Sequence, residues 1–128
     1  MLAIHSAYSD RSITLRDAVS DYFVAELRGD DILAVLRVYA WNSGESIGQF
    51  FARVCEERMP WGTTHKWVSV EGEFIISASC SNLGQVCFRV EMSCRTENAA
   101  WDVNAEVVTE LGQLPRIGAD AAAFCSDL

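Results

Sequence analysis

Lysine is almost absent from this chain. Lys66 is the only lysine, and lysine and arginine together number ten against eighteen aspartates and glutamates, which gives a net charge of −8. Proteins that bind nucleic acid gain affinity from lysine and arginine contacts to phosphates. The composition therefore predicts no nucleic-acid partner. An acidic surface instead favours association with basic partners.

Long apolar runs are also missing. No stretch of about eighteen apolar residues occurs, so neither a membrane span nor a membrane partner is expected. The start, "MLAIHSAYSDRS", has no basic segment followed by an apolar run and does not resemble a secretory signal. The cysteines are odd in number and follow no disulfide spacing, which predicts reduced thiols and a cytoplasmic location. They are Cys55, Cys80, Cys87, Cys94 and Cys125.

Half of the 128 residues are hydrophobic, which is enough for a folded core and predicts a single domain over residues 1–128. Apolar and polar residues alternate over residues 12–19, which predicts a strand that buries Ile13, Leu15 and Val19 on one face. A second strand is predicted before the turn sequence "GDD".

The segments on either side of residue 42 have different periods. Residues 32–41 are apolar on both faces, which predicts a central strand covered on both sides. From Ile47 onward, apolar residues recur every three or four positions, as in an amphipathic helix. Asn42 and Glu45 resemble a capping box for that helix, with Ser43 as the competing cap.

The second half predicts three strands and a closing helix. The strands cover residues 66–80, 85–94 and 101–109, and short turns between them favour antiparallel pairing. The order of strands, helix, strands and helix predicts an α+β fold. We expect an antiparallel sheet, curved or sandwich-like, with the two helices covering its apolar face. The predicted core includes Phe50, Phe88 and Phe124.

Two acidic residues, Glu71 and Glu73, fall within the predicted strand 66–80 and would project from the same face. Paired carboxylates can share a proton or hold a metal. No histidine lies within the strand, although His65 directly precedes it. The simpler interpretation is a pair of solvated acids that meet Arg89 across the sheet.

No catalytic residue, metal site or cofactor is predicted. The cysteines do not form the close pairs that zinc sites use, and the usual nucleophile and phosphate-binding motifs are missing. Cys55, Cys94 and Cys125 fall on apolar stripes and are expected to act as small core residues. Cys87 falls on the polar face of its strand and is the more reactive candidate.

The segment "MPWGTTHKW" is the best candidate for a pocket rim. It places Trp61, His65 and Trp67 around a loop, and aromatic rings can line a ligand groove as well as a core. An alternative function is therefore a small-ligand-binding protein or an enzyme, with a pocket lined by these three residues between sheet and helix.

The stretch "FFARVCEERMPWGTTHKWVSVEGEFIISASCSNLGQVCFRVEM" resembles a family of small bacterial proteins of unknown function. The features shared are the double phenylalanine, W-x-S-x-E-G-E and G-x-V-x-F-R-V-E, and the resemblance extends over residues 47–126. It implies a fold but carries no activity. Small acidic proteins of this type also resemble immunity proteins, which bind and neutralise a cognate toxin.

An acidic stripe follows the last predicted strand. Asp102, Asn104, Glu106 and Glu110 share one parity, opposite to the apolar residues of that strand. Such a stripe is either a solvated face or a surface that meets a basic protein. The function predicted first is a non-catalytic, immunity-type module that binds a basic toxin domain, with its oligomeric state left open.

Overall fold

Two antiparallel four-stranded sheets form the framework of the protein. The computed structural model describes residues 1–128. In each sheet the strands lie side by side in chain order. The N-terminal sheet contains β1 (Leu2–His5), β2 (Ser12–Val19), β3 (Tyr22–Gly29) and β4 (Ile32–Tyr39). The C-terminal sheet contains β5 (His65–Val68), β6 (Phe74–Cys80), β7 (Gln85–Cys94) and β8 (Trp101–Glu110).

Two helices complete the fold. Helix α1 (Ile47–Cys55) lies between the two sheets in the chain, and α2 (Leu114–Cys125) follows β8 through one 3₁₀ turn (Leu111–Gln113). Pro115 lies in the first turn of α2, where its missing N–H removes no helical hydrogen bond. The predicted α+β fold and its order of elements are confirmed. Neither helix is long and apolar enough to cross a membrane.

The start of α1 differs from the predicted cap. Ser46 is the N-cap, since its Oγ accepts from the Gln49 N–H at 3.1 Å and the Gln49 Oε1 accepts from the Ser46 N–H at 2.8 Å. This is a reciprocal capping box. The prediction of Asn42 and Glu45, with Ser43 competing, is wrong. The Asn42 amide instead donates to the Val68 carbonyl at 2.8 Å and attaches the loop to β5.

Phenylalanine rings join the two sheets and both helices in one core. The Phe23 ring of β3 meets the edges of Phe74 in β6 and Phe124 in α2, with centroids 5.9 and 5.8 Å apart. Phe51 of α1 lies 6.4 Å from Phe88 of β7. The predicted core residues Phe50, Phe88 and Phe124 are all buried, which confirms the predicted parity of β7.

The first hairpin contains a feature that alternation does not reveal. Asp17 has a φ of 55°, and the pairing of β2 with β3 shifts there, as in a β-bulge. The bulge reverses the parity of the strand end, so Val19 is exposed while Ile13 and Leu15 are buried. The predicted burial of Val19 is therefore wrong. β1, which the sequence pattern did not predict, pairs along the other side of β2.

β4 is an edge strand and not the predicted central one. It pairs only with β3, and Leu33 and Val35 project from the outer face with 61% and 46% of their surface exposed. Its other face is buried, with Ala34 and Val38 in the core. The continuous apolar run therefore reflects one buried face and one exposed apolar face.

Residues 66–80 form a hairpin, whereas a single strand was predicted. β5 ends at Val68, β6 begins at Phe74, and Trp67 pairs with Ile76 across the two strands. The turn between them includes Gly72, whose φ of 76° lies in the left-handed region that glycine adopts freely. Glu71 and Glu73 consequently lie in a turn, and neither belongs to a strand face.

Candidate functional site

The predicted acidic stripe lies on the outer face of the C-terminal sheet. Asp102, Asn104, Glu106 and Glu110 are all exposed along β8, while Ala105 and Val107 on the opposite parity are buried. β8 is the last strand of its sheet. The four polar side chains therefore project from a regular strand into solvent.

β7 adds a further acid to this surface. Glu91 is half-buried and lies opposite Asn104, beside Asp102. A shallow hollow of about 390 Å³ separates β8 from the turn at Gly72. The hollow is lined by Gly72, Ile75, Glu91, Met92, Ser93, Asp102 and Asn104. We call the surface formed by Glu91, Asp102, Asn104, Glu106 and Glu110 the acidic face.

Two arginines contact the acidic face. Arg95 Nη2 lies 2.5 Å from Asp102 Oδ1, and Arg89 Nη1 lies 3.7 Å from Glu106 Oε1. Arg89 was expected to meet Glu71 and Glu73, and that expectation is wrong because the strand register places it opposite Glu106.

The other two carboxylates of the acidic face have no basic partner. Glu110 accepts from the Tyr8 hydroxyl at 3.0 Å, and the Gln85 amide donates to the same hydroxyl at 3.1 Å. Glu91 makes no ion pair. Arg89 and Arg95, which pair with this face, each contact one carboxylate, that of Glu106 or of Asp102. Acidic charge therefore exceeds basic charge on this face.

The Cys87 thiol lies beside the acidic face and has a raised pKa. Burial raises its pKa to about 11, and the neighbouring Glu106 carboxylate acts in the same direction. Burial also raises the thiol pKa of Cys55 and of Cys125 to about 11. Because the thiolate is the nucleophile, these raised pKa values give no support to the prediction that Cys87 is the more reactive cysteine, which remains a prediction.

Glu73 has a structural role in the turn that precedes β6. The buried Ser69 hydroxyl donates to Glu73 Oε1, and the same hydroxyl accepts from the Phe74 N–H at 3.1 Å. Burial raises the pKa of Glu73, the Ser69 hydrogen bond opposes that rise, and the neighbouring Glu71 adds to it. Glu71 is a neighbour of Glu73, and it is the contact between Glu73 and Ser69 that supports the turn.

His65 attaches β5 to α1, Trp67 attaches β5 to the loop before α1, and Trp61 packs beside His65. Trp67 is buried and donates its indole N–H to the Glu45 carbonyl at 2.8 Å. His65 Nδ1 accepts from Arg53, and its Nε2 lies 3.4 Å from Glu57. The Trp61 ring lies 5.4 Å from the His65 ring, and its indole N–H is buried without a hydrogen-bond partner.

These three side chains do not form the predicted pocket. The surface has four hollows, and none of them is lined by Trp61, His65 or Trp67. No group of three or more histidine, cysteine, aspartate or glutamate side chains is placed to hold a metal ion.

The sequence reasoning missed Glu91, Arg95 and Tyr8 as neighbours of the stripe. The register of β7 and β8 alone brings Glu91 beside Asn104, and a count outward from the intervening loop could have indicated that pair. Tyr8 comes from the segment after β1, 102 residues away from Glu110 in the chain. No local sequence signal identifies that contact.

Comparison with known proteins identifies a family but no activity. A model of a family of unknown function, DUF6228, matches residues 5–127. That range extends beyond residues 47–126, which carry the resemblance described above, and includes β2, β3 and β4 of the N-terminal sheet. No curated protein and no solved structure matches the chain. With nearly its whole length matched, this chain belongs to the DUF6228 family.

Proposed function

We propose that this protein is a non-catalytic binding module that recognises a basic protein partner through the acidic face. The observation that carries the proposal is the arrangement of β7 and β8. They present Glu91, Asp102, Glu106 and Glu110 on one surface, where the basic side chains are Arg89 and Arg95 in ion pairs and Arg11 in a hollow beside Glu106. Regular strand backbone fixes the spacing of these carboxylates, so a partner would meet a preformed pattern of charge.

The two ion pairs on the acidic face leave it available to a partner. The side chains of Arg95 and Asp102 are 61% and 66% exposed, and those of Arg89 and Glu106 are 49% and 55% exposed. Exposed pairs of this kind contribute about 0–1 kcal/mol to stability. A partner's arginine or lysine can therefore replace Arg89 or Arg95 at a small cost.

The partner class we favour is a toxin domain that acts on nucleic acid, which makes this protein an immunity-type inhibitor. Such a domain carries a basic site for phosphates, and a row of carboxylates can occupy that site in their place. The net charge of −8 would accelerate the encounter by long-range attraction. The proposed place of action is the cytoplasm.

The proposal is tested by screening the genes beside this one for a toxin domain and co-expressing that domain with this protein. We expect cells that carry both proteins to grow where cells that carry the domain alone do not. We also expect the two purified proteins to elute together in gel filtration. Separate elution together with continued toxicity would contradict the proposed function.

A pair of charge-matched variants locates the interface. The triple variant Glu91→Gln, Asp102→Asn, Glu106→Gln removes three negative charges from the acidic face. The control variant Asp21→Asn, Glu56→Gln, Asp127→Asn removes three exposed charges elsewhere. We expect only the acidic-face variant to lose protection.

A further inference from the structure

β4 has a row of backbone groups without partners. It pairs only with β3, and none of the backbone hydrogen bonds formed outside the regular elements involves residues 32–39. An unpaired strand edge is a template for another strand.

The hairpin geometry identifies which residues carry the free groups. The two-residue turn at Asp30 and Asp31 closes on the pair Gly29 and Ile32, so the even-numbered residues of β4 bond to β3. The Ala40 N–H, on the same parity, donates to the Asp21 carbonyl at 2.6 Å. The N–H and C=O groups of the odd-numbered residues therefore point away from the sheet. These residues are Leu33, Val35, Arg37 and Tyr39.

This edge has few of the features that usually prevent strand pairing. Proline, lysine, bulges and inward-pointing charges commonly protect sheet edges. β4 contains no proline or lysine, its pairing with β3 is regular throughout, and Arg37 is its one charged residue. Leu33 and Val35 expose 61% and 46% of their surface.

An apolar hollow lies beside the same edge. It has a volume of about 320 Å³ and lies between the start of β4 and the start of β8. Every lining residue is hydrophobic: Leu33, Ala34, Val35, Trp101 and Val103. A strand added to β4 would lay its inward-facing side chains toward Trp101 and Val103.

We propose that β4 pairs in antiparallel fashion with β4 of a second copy of this chain, joining the two N-terminal sheets. The register that fits best places Ala34 opposite the second copy's Ala34. Leu33 then faces the second copy's Val35 on the outer surface, and Ile32 faces its Leu36 on the inner one. All four of these positions are apolar.

Charge selects this register and a second copy as the occupant. With Ala34 at the two-fold axis, Asp31 comes alongside the second copy's Arg37, and the same pair recurs on the other side of the axis. Asp31 lies in the turn before β4 and pairs with Arg11 of its own chain at 3.0 Å, but its side chain is 66% exposed and can accept a second arginine. Arg37 is also exposed, with its guanidinium 4.0 Å from the centre of the Tyr22 ring. If Val35 lay at the two-fold axis, Leu33 would face the second copy's Arg37. If Arg37 lay there, the guanidinium groups of the two copies would meet. An acid in the turn before the strand, a base toward its far end and an apolar centre make this edge complementary to a second copy of itself.

Light scattering over a dilution series tests the association. The chain has a mass of 14.2 kDa, and we expect twice that mass at high concentration. Val35→Lys should shift the mass to that of the monomer, because it places a charge at the centre of the pairing while the side chain already points to solvent. Val70→Lys is the matched control, since Val70 is similarly exposed at 49%, and it should remain a dimer.

Disulfide trapping tests the register separately. In the proposed pairing the two Ala34 residues form a non-hydrogen-bonded pair with Cα atoms about 4.5 Å apart, within the range that a disulfide spans. Ala34→Cys should therefore form a reducible dimer on mild oxidation. Leu36→Cys, which faces Ile32, should not do so beyond the wild-type background of native cysteines.

Three results would overturn the proposal. They are a wild-type protein that stays monomeric at every concentration, a dimer that Val35→Lys leaves intact, and cross-linking of Leu36→Cys as efficient as that of Ala34→Cys. Circular dichroism of each variant confirms that it is folded before its mass is interpreted.

Discussion

Phe88 is fully buried in β7 and contacts Phe51 of α1. Phe88→Ala leaves a cavity where the C-terminal sheet meets a helix, and we expect it to lower the free energy of unfolding by about 3–5 kcal/mol. Urea unfolding measures this change. The control Leu83→Ala truncates a side chain that is 88% exposed and should cost less than about 0.5 kcal/mol. A loss below about 1 kcal/mol for Phe88→Ala would mean that β7 buries its other face.

Cys87 should alkylate slowly at neutral pH. Because its pKa is raised to about 11, the thiolate is scarce there and the rate should keep rising as the pH approaches that value. Iodoacetamide labelling followed by peptide mass spectrometry measures the rate at this position. Glu106→Gln removes the nearby negative charge and should shift the profile toward lower pH. A rate that levels off well below the raised pKa would contradict the burial of the Cys87 thiol.

Burial of individual residues was largely predictable, but their polar partners were not. Strict alternation in β7 and β8 determines which side chains face the core, so the burial of Phe88 and Val107 was predictable from the sequence. Ion pairs depend on which residue lies opposite in the neighbouring strand. Arg89 therefore meets Glu106 and not Glu71 or Glu73. Alternation within one strand does not predict which residue lies opposite.

Helix α1 offers a test of local structure. Ser46→Ala removes the side chain that accepts from the Gln49 N–H, and we expect it to lower stability by about 1 kcal/mol. Ser43→Ala is the matched control, because Ser43 is exposed and was the alternative cap. Thermal or urea unfolding distinguishes the two variants. A larger loss for Ser43→Ala would place the start of the helix earlier in the chain.

Each element that the sequence mispredicted has a local pattern that is compatible with two structures. The continuous apolar run of β4 is typical of a strand covered on both faces. An edge strand with one buried face and one exposed apolar face has the same run. Gly72 marked the break between β5 and β6, but a glycine within a strand pattern is also compatible with a bend. The left-handed φ at Asp17 reverses which face the end of β2 buries. Aspartate adopts this conformation only occasionally, so its presence in the sequence does not predict the bulge.

For the molecule as a whole, the class and the order of elements followed from the sequence, and the division into two sheets did not. Short connections predict that strands consecutive in the chain are neighbours in the sheet. Whether strands on either side of a helix join one sheet or form two depends on how α1 packs, which is a tertiary property. The acidic stripe was predictable from the parity of β8. Its arginine neighbours and the hollow beside Glu91 arise only when β7, β8 and the Gly72 turn come together.

The rate of association with the toxin domain that a screen of the neighbouring genes identifies, measured at low and high salt, tests the acidic face most directly. At low salt we expect Glu91→Gln, Asp102→Asn, Glu106→Gln to slow association by about tenfold or more relative to wild type. The difference should shrink at high salt, where exposed charges are screened. The control Asp21→Asn, Glu56→Gln, Asp127→Asn should slow association far less, and both variants should unfold at similar denaturant concentrations. Equal rates for the two variants at low salt would contradict recognition through the acidic face.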